Sequence, residues 1–346
     1  MSKYKTPDQQ HTLFDGFWRA EELSKNPTAL DKLNEKLEWE LFRPILEEKL
    51  KYSDRASGGR RPFDPVLMLK ILVLQKYHGL SDEQTEFQIK DRFSFQRFLG
   101  MGLSDDVPDE KTIWVFKERL GEDGVEALFA KFSEHLKDCG IMGNKGKIVD
   151  ASFVDVPRQR NTREENQHIK EQGDAPEGWE DSLNKKRQKD IDARWTKKND
   201  EKHFGYKNHV KVDNKSKLIE SYAVTDASVH DSQALGNLLS ADDETLYADS
   251  AYRSESIEED LENLGIKSEI HEKGYRSRPL TEKQKNSNRR KSRIRARVEH
   301  VFGFQSNTMA SDFIQTIGIR RAKLGIGLGN LIYNLCRFTY LSVRVA

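Results

Sequence analysis

KIVDASFVDV, residues Lys147 to Val156, is where the character of the chain changes. Before Gly146 the apolar residues recur at helical spacing. Here β-branched and apolar residues run together, interrupted only by Asp150, Ser152 and Asp155, and Pro157 ends the run. Such a pattern predicts a strand. Working outward on its C-terminal side, two more strands follow over Tyr206 to Val212 and Leu218 to Thr225, joined by the turn Asp213-Asn214-Lys215-Ser216. His230-Asp231 opens a helix through Leu235, Leu238 and Leu239. Thr245 to Ala248 is a short buried strand that delivers Asp249. A helix over Ser254 to Leu264 ends at Gly265, and Ile266 to Ile270 is the fifth strand. Then come a basic helix and a closing apolar helix, Ala322 to Val343. An antiparallel start followed by alternating strands and helices predicts an α/β layer, helices against a mixed five-stranded sheet. Residues 157–203 are polar, carry Gly173, Pro176 and Gly178, and read as an insertion, partly loop.

On the N-terminal side the pattern is helical. A helix is expected from Asn26 into Leu50, with Ser57 to Pro62 as a loop after it. Val66 to Tyr77 is apolar nearly all round and predicts a buried helix; Ser81-x-x-Gln84 has the form of a capping box for the next. A third helix starts near Pro108-Asp109 and runs through Leu120, and a fourth spans Val125 to Leu136. Short helices with tight turns fit a helix-turn-helix-like DNA-binding module, although any small helical bundle has the same pattern. The chain therefore divides into a helical region, 1–140, and an α/β region, 141–346.

The totals set limits. At 346 residues the chain is long enough for about two domains. Its net charge of +1 does not announce a nucleic-acid partner, so any basic surface must be local. Cys139 and Cys336 are too few for a zinc site or a disulfide framework. The N-terminal MSKYKTPDQQ has no apolar signal region and no apolar run reaches membrane-spanning length, which predicts a reducing, cytoplasmic setting without a membrane partner.

The local basic surface is RRKSRIRARVEHVFGF, Arg289 to Phe304, where Ile294, Val298, Val301 and Phe302 form an apolar helical stripe. From Lys273 to Arg297 there are eleven Lys and Arg against one acid, Glu282. Glu299 is the only acid between Asn286 and Gln305. A lone carboxylate beside such a stripe suits a metal ion held next to phosphate; an i,i+4 pair with Arg295 is the simpler alternative. Asp150 at the end of the first strand's apolar run and Asp249 just past a buried strand are its expected companions. Three carboxylates converging at one sheet edge form an oxygen cage for two Mg²⁺ or Mn²⁺ ions, a site suited to cleaving phosphodiesters. Asp155, five residues along the strand, points to the opposite face. Asp226 and Asp231, near a helix start, are expected to be caps.

With these residues in place the chain resembles bacterial insertion-sequence transposases of the DDE type, in the insertion-sequence-five group. The resemblance rests on Ile148-Val149-Asp150-Ala151-Ser152, Asp190 to Trp195, Gly205-Tyr206-Lys207-Asn208-His209, Val224 to Asp231, Ala248-Asp249-Ser250-Ala251-Tyr252 and Arg295-x-x-x-Glu299-x-x-Phe302. It implies an RNase H-like core and Asp150, Asp249 and Glu299 as the catalytic, metal-binding triad. It also implies cutting and joining at terminal inverted repeats and target DNA by a homodimer at the bacterial nucleoid. Related elements carry a Tyr and a Lys around the third acid; those positions are Ser292 and Ser306 here, so their role does not carry over. Arg295 is expected to contact the strand being cut. Arg289, Arg290, Lys291, Arg293 and Lys207 are further expected DNA contacts, and Trp195 could stack on an unpaired base or simply pack. A nuclease that only hydrolyses, or a repressor without catalysis, are the alternatives.

Overall fold

The strand starting at Lys147 forms as its β-branched run requires, as β1 (Lys147–Asp155) of a computed structural model describing residues 14–51, 61–143, 145–198, 200–275 and 279–345. The N-terminal decapeptide, residues 57–60 of the expected loop, and Arg276 and Arg278 of the basic count lie outside the described residues. β1 pairs antiparallel with the long β3 (Glu201–Asp213), from Lys147 beside Asp213 to Asp155 beside Gly205. β3 in turn pairs antiparallel with β4 (Ile219–Asp226) through the expected hairpin. On the other side β1 pairs parallel with β5 (Thr245–Tyr247), and β5 with β6 (Lys267–Ser268). These five strands make the mixed sheet of an RNase H-like core.

A sixth strand was not expected. β2 (Arg194–Lys198), inside the polar insertion, pairs with the first residues of β3. The insertion also folds two helices, α8 (Arg163–Gln172) and α9 (Leu183–Gln188), around Trp179, which is buried and donates its indole N–H to Glu165 at 2.8 Å. Lys185 and Lys189 lie over the indole ring.

The sheet and the N-terminal helices share one apolar core. α4 (Pro65–Tyr77) is buried as its composition demands, with Asp64 capping the N–H groups of Val66 and Leu67. α5 (Asp82–Asp91) begins with the Ser81/Gln84 capping box. The expected Asn26–Leu50 helix is instead α2 (Ala29–Lys36), a 3₁₀ turn at Trp39–Phe42, and α3 (Arg43–Leu50). Pro44 explains the restart, because it cannot donate into a preceding turn but fits a first one. The third and fourth expected helices form and run end to end as α7 (Glu110–Asp138), separated by a kink at Gly121 with φ 62° and ψ 179°, a conformation that only glycine adopts readily. The final helix, α13 (Ile319–Val345), packs on α7, α2 and α4 and also on β4 and β3, so it joins the helical region to the sheet.

Polar side chains fix that junction. Asn334, fully buried, accepts from the Ile219 N–H at 2.9 Å and donates to the Ile219 carbonyl at 2.7 Å, serving edge strand β4 as a neighbouring strand would. Asn330 exchanges two hydrogen bonds with Asn208 of β3. Asp190 and Asp192 accept from Gly318 and Ile319 at the start of α13, tying the insertion to the same helix.

Gly205 shows why its motif begins with glycine. Its φ is +154°, and a Cβ there would lie 2.3 Å from the Val154 carbonyl oxygen. Backbone cannot yield as a side chain can, so Gly205→Ala should destabilise the chain by roughly 3 kcal/mol or more. Urea denaturation checks this; an unchanged midpoint would show that β1 and β3 tolerate the added methyl.

Candidate active site

The parallel register decides where the acids go. Ile148 of β1 lies beside Tyr247 of β5. Two residues further on each chain come Asp150 and Asp249, so strand alternation puts both carboxylates on the same face, just past the end of β5 and of its parallel ladder with β1. That is also the crevice position where parallel α/β sheets bind ligands. Asp249 leaves β5 as the cap of a 3₁₀ turn, Ser250–Tyr252, accepting from the Ala251 N–H at 2.7 Å.

The basic segment crosses this face. It is not one helix from Arg289 to Phe304. α11 (Glu282–Arg295) starts at a Thr281/Gln284 capping box, a 3₁₀ turn follows at Ala296–Val298, and α12 (Glu299–Met309) continues. The turn contacts β1. Val298 and Val301 are buried, as the stripe predicts. From the end of α11, Arg295 donates to Asp150 Oδ2 at 2.5 Å, while its Nε is buried without a partner among the described residues. Arg297 turns the other way and donates to the Asn214 carbonyl at 3.0 Å.

Asp150 is 8% exposed. Burial pushes its carboxyl above the ordinary carboxylate range, opposed by the Arg295 guanidinium and the Ala151 N–H and reinforced by the charge of Asp249. Two neighbouring acids in a desolvated corner call for a cation, and in this structure Arg295 provides it. All-oxygen donors suit a hard divalent ion, so the pair fits Mg²⁺ or Mn²⁺. The third acid is placed differently. Glu299 is exposed, one turn beyond Arg295, with no hydrogen bond or ion pair among the described residues. Among those residues no group of three or more His, Cys, Asp or Glu is gathered closely enough to hold a metal. The structure thus brings two of the three acids together and leaves Glu299 at the margin, unpaired with Arg295.

The expected DNA contacts also divide. Arg289, Arg290 and Arg293 are exposed on α11. Lys291 is turned inward, donating to the Ile270 carbonyl at 2.8 Å. Lys207 is a correction: it is buried, and its ammonium donates to Asp231 Oδ1 at 2.8 Å and to the Val229 carbonyl at 2.7 Å. Asp231 is accordingly this lysine's counter-ion, while His230 caps the turn that follows. Asp226 accepts from the Ser228 N–H at 2.8 Å, closing a turn rather than capping the helix as expected. Trp195 stands on β2, 42% exposed, against Phe204 and under Arg158. Asp155 faces His203 at 3.3 Å, away from Asp150.

Three residues near the acids have no role assigned from sequence. Lys198 of β2 is close enough to lower the Asp150 carboxyl. Tyr252 is fully buried, its hydroxyl has no partner among the described residues, and burial with the charges of Asp231, Asp150 and Asp249 keeps it protonated. His209 is fully buried. Thr225 Oγ1 gives its one proton to the Asp226 carbonyl, so His209 Nε2 must be the donor across 2.9 Å and Nδ1 is a bare acceptor. Burial pushes this imidazole down to about 4, which keeps it neutral. Tyr252 and His209 belong to motifs quoted above, and an aromatic hydroxyl three residues after Asp249 is the sequence signal for the first.

Two neighbouring acids, Asp150 buried and Asp249 half-buried, where the parallel ladder of an RNase H-like sheet ends suit an enzyme that acts on nucleic acid. The family comparison is narrower. Residues 142–335 match the model of the transposase DDE domain, and residues 18–119 that of a second transposase domain, DUF772. The chain belongs to the DDE-domain transposase family, and it is a transposase. A cryo-EM structure of a piggyBac transposase synaptic complex with hairpin DNA aligns over 89% of this chain and 75% of that one, at 12% identity and a TM-score of 0.47.

Removing Lys207 separates the structural from the DNA-contact role. Lys207→Met leaves the half-buried Asp231 unpaired, which should cost about 3 kcal/mol of stability. The salt dependence of DNA binding should stay unchanged. A shallower salt slope with normal stability would restore Lys207 to the DNA surface.

Proposed function

We propose that this transposase, of the insertion-sequence-five group, cleaves DNA at the terminal inverted repeats of its element and joins the freed 3′-hydroxyl to target DNA. Asp150, Asp249 and Glu299 serve as ligands of divalent metal, Mg²⁺ or Mn²⁺, as two ions. The observation that carries this reading is the side-by-side placement of Asp150 and Asp249, both on the face crossed by the basic helix. Divalent ions in such a site activate the attacking oxygen and stabilise the leaving one. The rest is done by the chain itself.

Arg295 has two tasks. It neutralises Asp150 in the free protein, and its unpartnered Nε leaves capacity for a phosphate oxygen. Moving the guanidinium from carboxylate to phosphate frees the Asp150 oxygens when DNA is present. Glu299 completes the acid set from the start of α12, where its exposure lets it turn toward the same edge. Arg289, Arg290 and Arg293 lie on the exposed side of α11 and neutralise backbone phosphates without reading sequence. Trp195, held by Phe204 on an edge strand, offers one exposed aromatic face to an unpaired base.

Two element ends require two such sites, hence a homodimer on DNA. The helices of residues 1–140 take end recognition and dimerisation, and residues 141–346 take catalysis. Among the described residues no helix is long and apolar enough to cross a membrane, and we assign the enzyme to the cytoplasm beside the nucleoid.

Asp249→Ala should slow Mg²⁺-dependent nicking of a duplex carrying the element end by about a thousandfold, a loss of roughly 4 kcal/mol in transition-state stabilisation. End binding should remain within about twofold by anisotropy, as expected when no phosphate contact is lost. Persistent nicking would refute the acid assignment. Hydrolysed ends with no joined products would favour a plain nuclease, and specific end binding by an inactive wild type a repressor.

A further inference from the structure

Beyond the β3–β4 turn lies a cleft of about 520 Å³, lined by Lys215, Lys217, His300, Tyr333, Arg337 and Tyr340 among others. It sits where the β3–β4 turn meets α12 and α13. Its charge is unbalanced. Lys215, Lys217, Arg337 and the neighbouring Arg297 have no ion pair among the described residues, although this chain pairs most of its buried lysines with acids. Desolvation and the charges of Arg337 and Arg297 together depress the Lys217 ammonium. Among the described residues no carboxylate relieves it.

The guanidinium at the cleft and the backbone beside it are held in place. Arg337 donates through Nε to the Ser216 carbonyl at 2.7 Å and stacks 4.9 Å from the centroid of the Tyr340 ring. Lys217 has a left-handed backbone, φ 63°, and its carbonyl accepts from Tyr333 Oη at 2.7 Å. Tyr333 Oη thereby spends its proton, so the 3.1 Å contact with His300 must be donated by Nδ1. The His300 Nε2 edge is left for another partner. A converging set of like charges with no counter-ion raises the free energy of the protein alone and lowers it when an anion binds.

We infer that this cleft is a second phosphate-binding surface, taking the backbone of the DNA that runs on past the acids at Asp150 and Asp249. His300 follows Glu299 directly, so the cleft begins one residue from the proposed site, and a strand cut there has this surface as its continuation. Tyr340, 47% exposed and already carrying a guanidinium, offers a flat wall beside the phosphates. The inference rests on the DNA-cutting reading above and extends it to substrate outside the scissile bond.

The test uses the full chain and the double variant Lys215→Ala/Lys217→Ala. Neither side chain has a hydrogen-bond partner among the described residues, so the thermal midpoint should hold. Anisotropy titrations with an end-bearing duplex across a salt series should show about tenfold weaker binding at moderate salt. The slope of log affinity against log salt should fall in magnitude by about 2, since each lost phosphate contact contributes close to 0.9. Unchanged affinity and slope would overturn the inference. Calorimetric titration with inorganic phosphate and pyrophosphate separates the sources: saturable binding lost in the variant, with the DNA slope intact, would make this a site for a free anion and also overturn it. If the variant binds DNA as wild type while Asp249→Ala is inactive, only the cleft assignment falls.

Discussion

Ile148 beside Tyr247 is a single step of parallel register, and the chemistry of the chain depends on it. Because side chains alternate along a strand, that pairing commits Asp150 and Asp249 to the same face and the same level. A slip of one residue in β5 would send Asp249 into the apolar cluster formed by Leu246, Ala248 and Tyr252 on the other side. The step is held by very short strands: only Lys147 to Ile148 pair with β5. What fixes it is the burial of Leu246 and Ala248 on one face and the packing of Tyr247 on the other.

The face away from α13 is maintained by charge. β3 presents Lys207, His209 and Lys211 there, all buried. Lys207 is answered by Asp231, and Lys211 by Asp243 at 2.8 Å; Lys147 of β1 is answered by Glu220 at 2.7 Å. Buried pairs of this kind contribute little net stability, because desolvation offsets the attraction. They do specify register, since a one-residue slip of β3 would carry Lys207, His209 and Lys211 to the side where α13 packs. The signature Gly205-Tyr206-Lys207-Asn208-His209 is thus structural at every position: a close backbone approach, then contacts to Asp190, Asp231, Asn330 and Thr225. Lys215, Lys217 and Arg337 differ in having no ion pair among the described residues, which is why a ligand rather than a neighbouring residue is assigned to them.

Much of the sheet was legible because its strands obey simple patterning. KIVDASFVDV and the Asp213–Ser216 turn need no tertiary information, and an acid just past each of two apolar runs was enough to place Asp150 and Asp249. What escaped was decided by distant partners. β2, RWTKK, has no apolar alternation, since it is an edge strand formed only where β3 offers one. Lys207 reads as a surface cation until Asp231, 24 residues later, folds over it. The break between α11 and α12 has no glycine or proline to announce it; it separates Arg295, directed to Asp150, from Arg297, directed to Asn214. The exposure of Glu299 was equally beyond local pattern, because it depends on where that break falls.

In the proposed reaction Asp150, Asp249 and Glu299 gather around a shared divalent centre when DNA is bound. Fe²⁺ substituted for Mg²⁺ in the DNA complex, with ascorbate and peroxide, cuts the protein backbone next to its own ligands and locates that centre directly. Fragments ending near residues 150, 249 and 299, all suppressed by excess Mg²⁺, are the expected result. Cuts near 150 and 249 without one near 299, or cuts confined to another part of the chain, would contradict it.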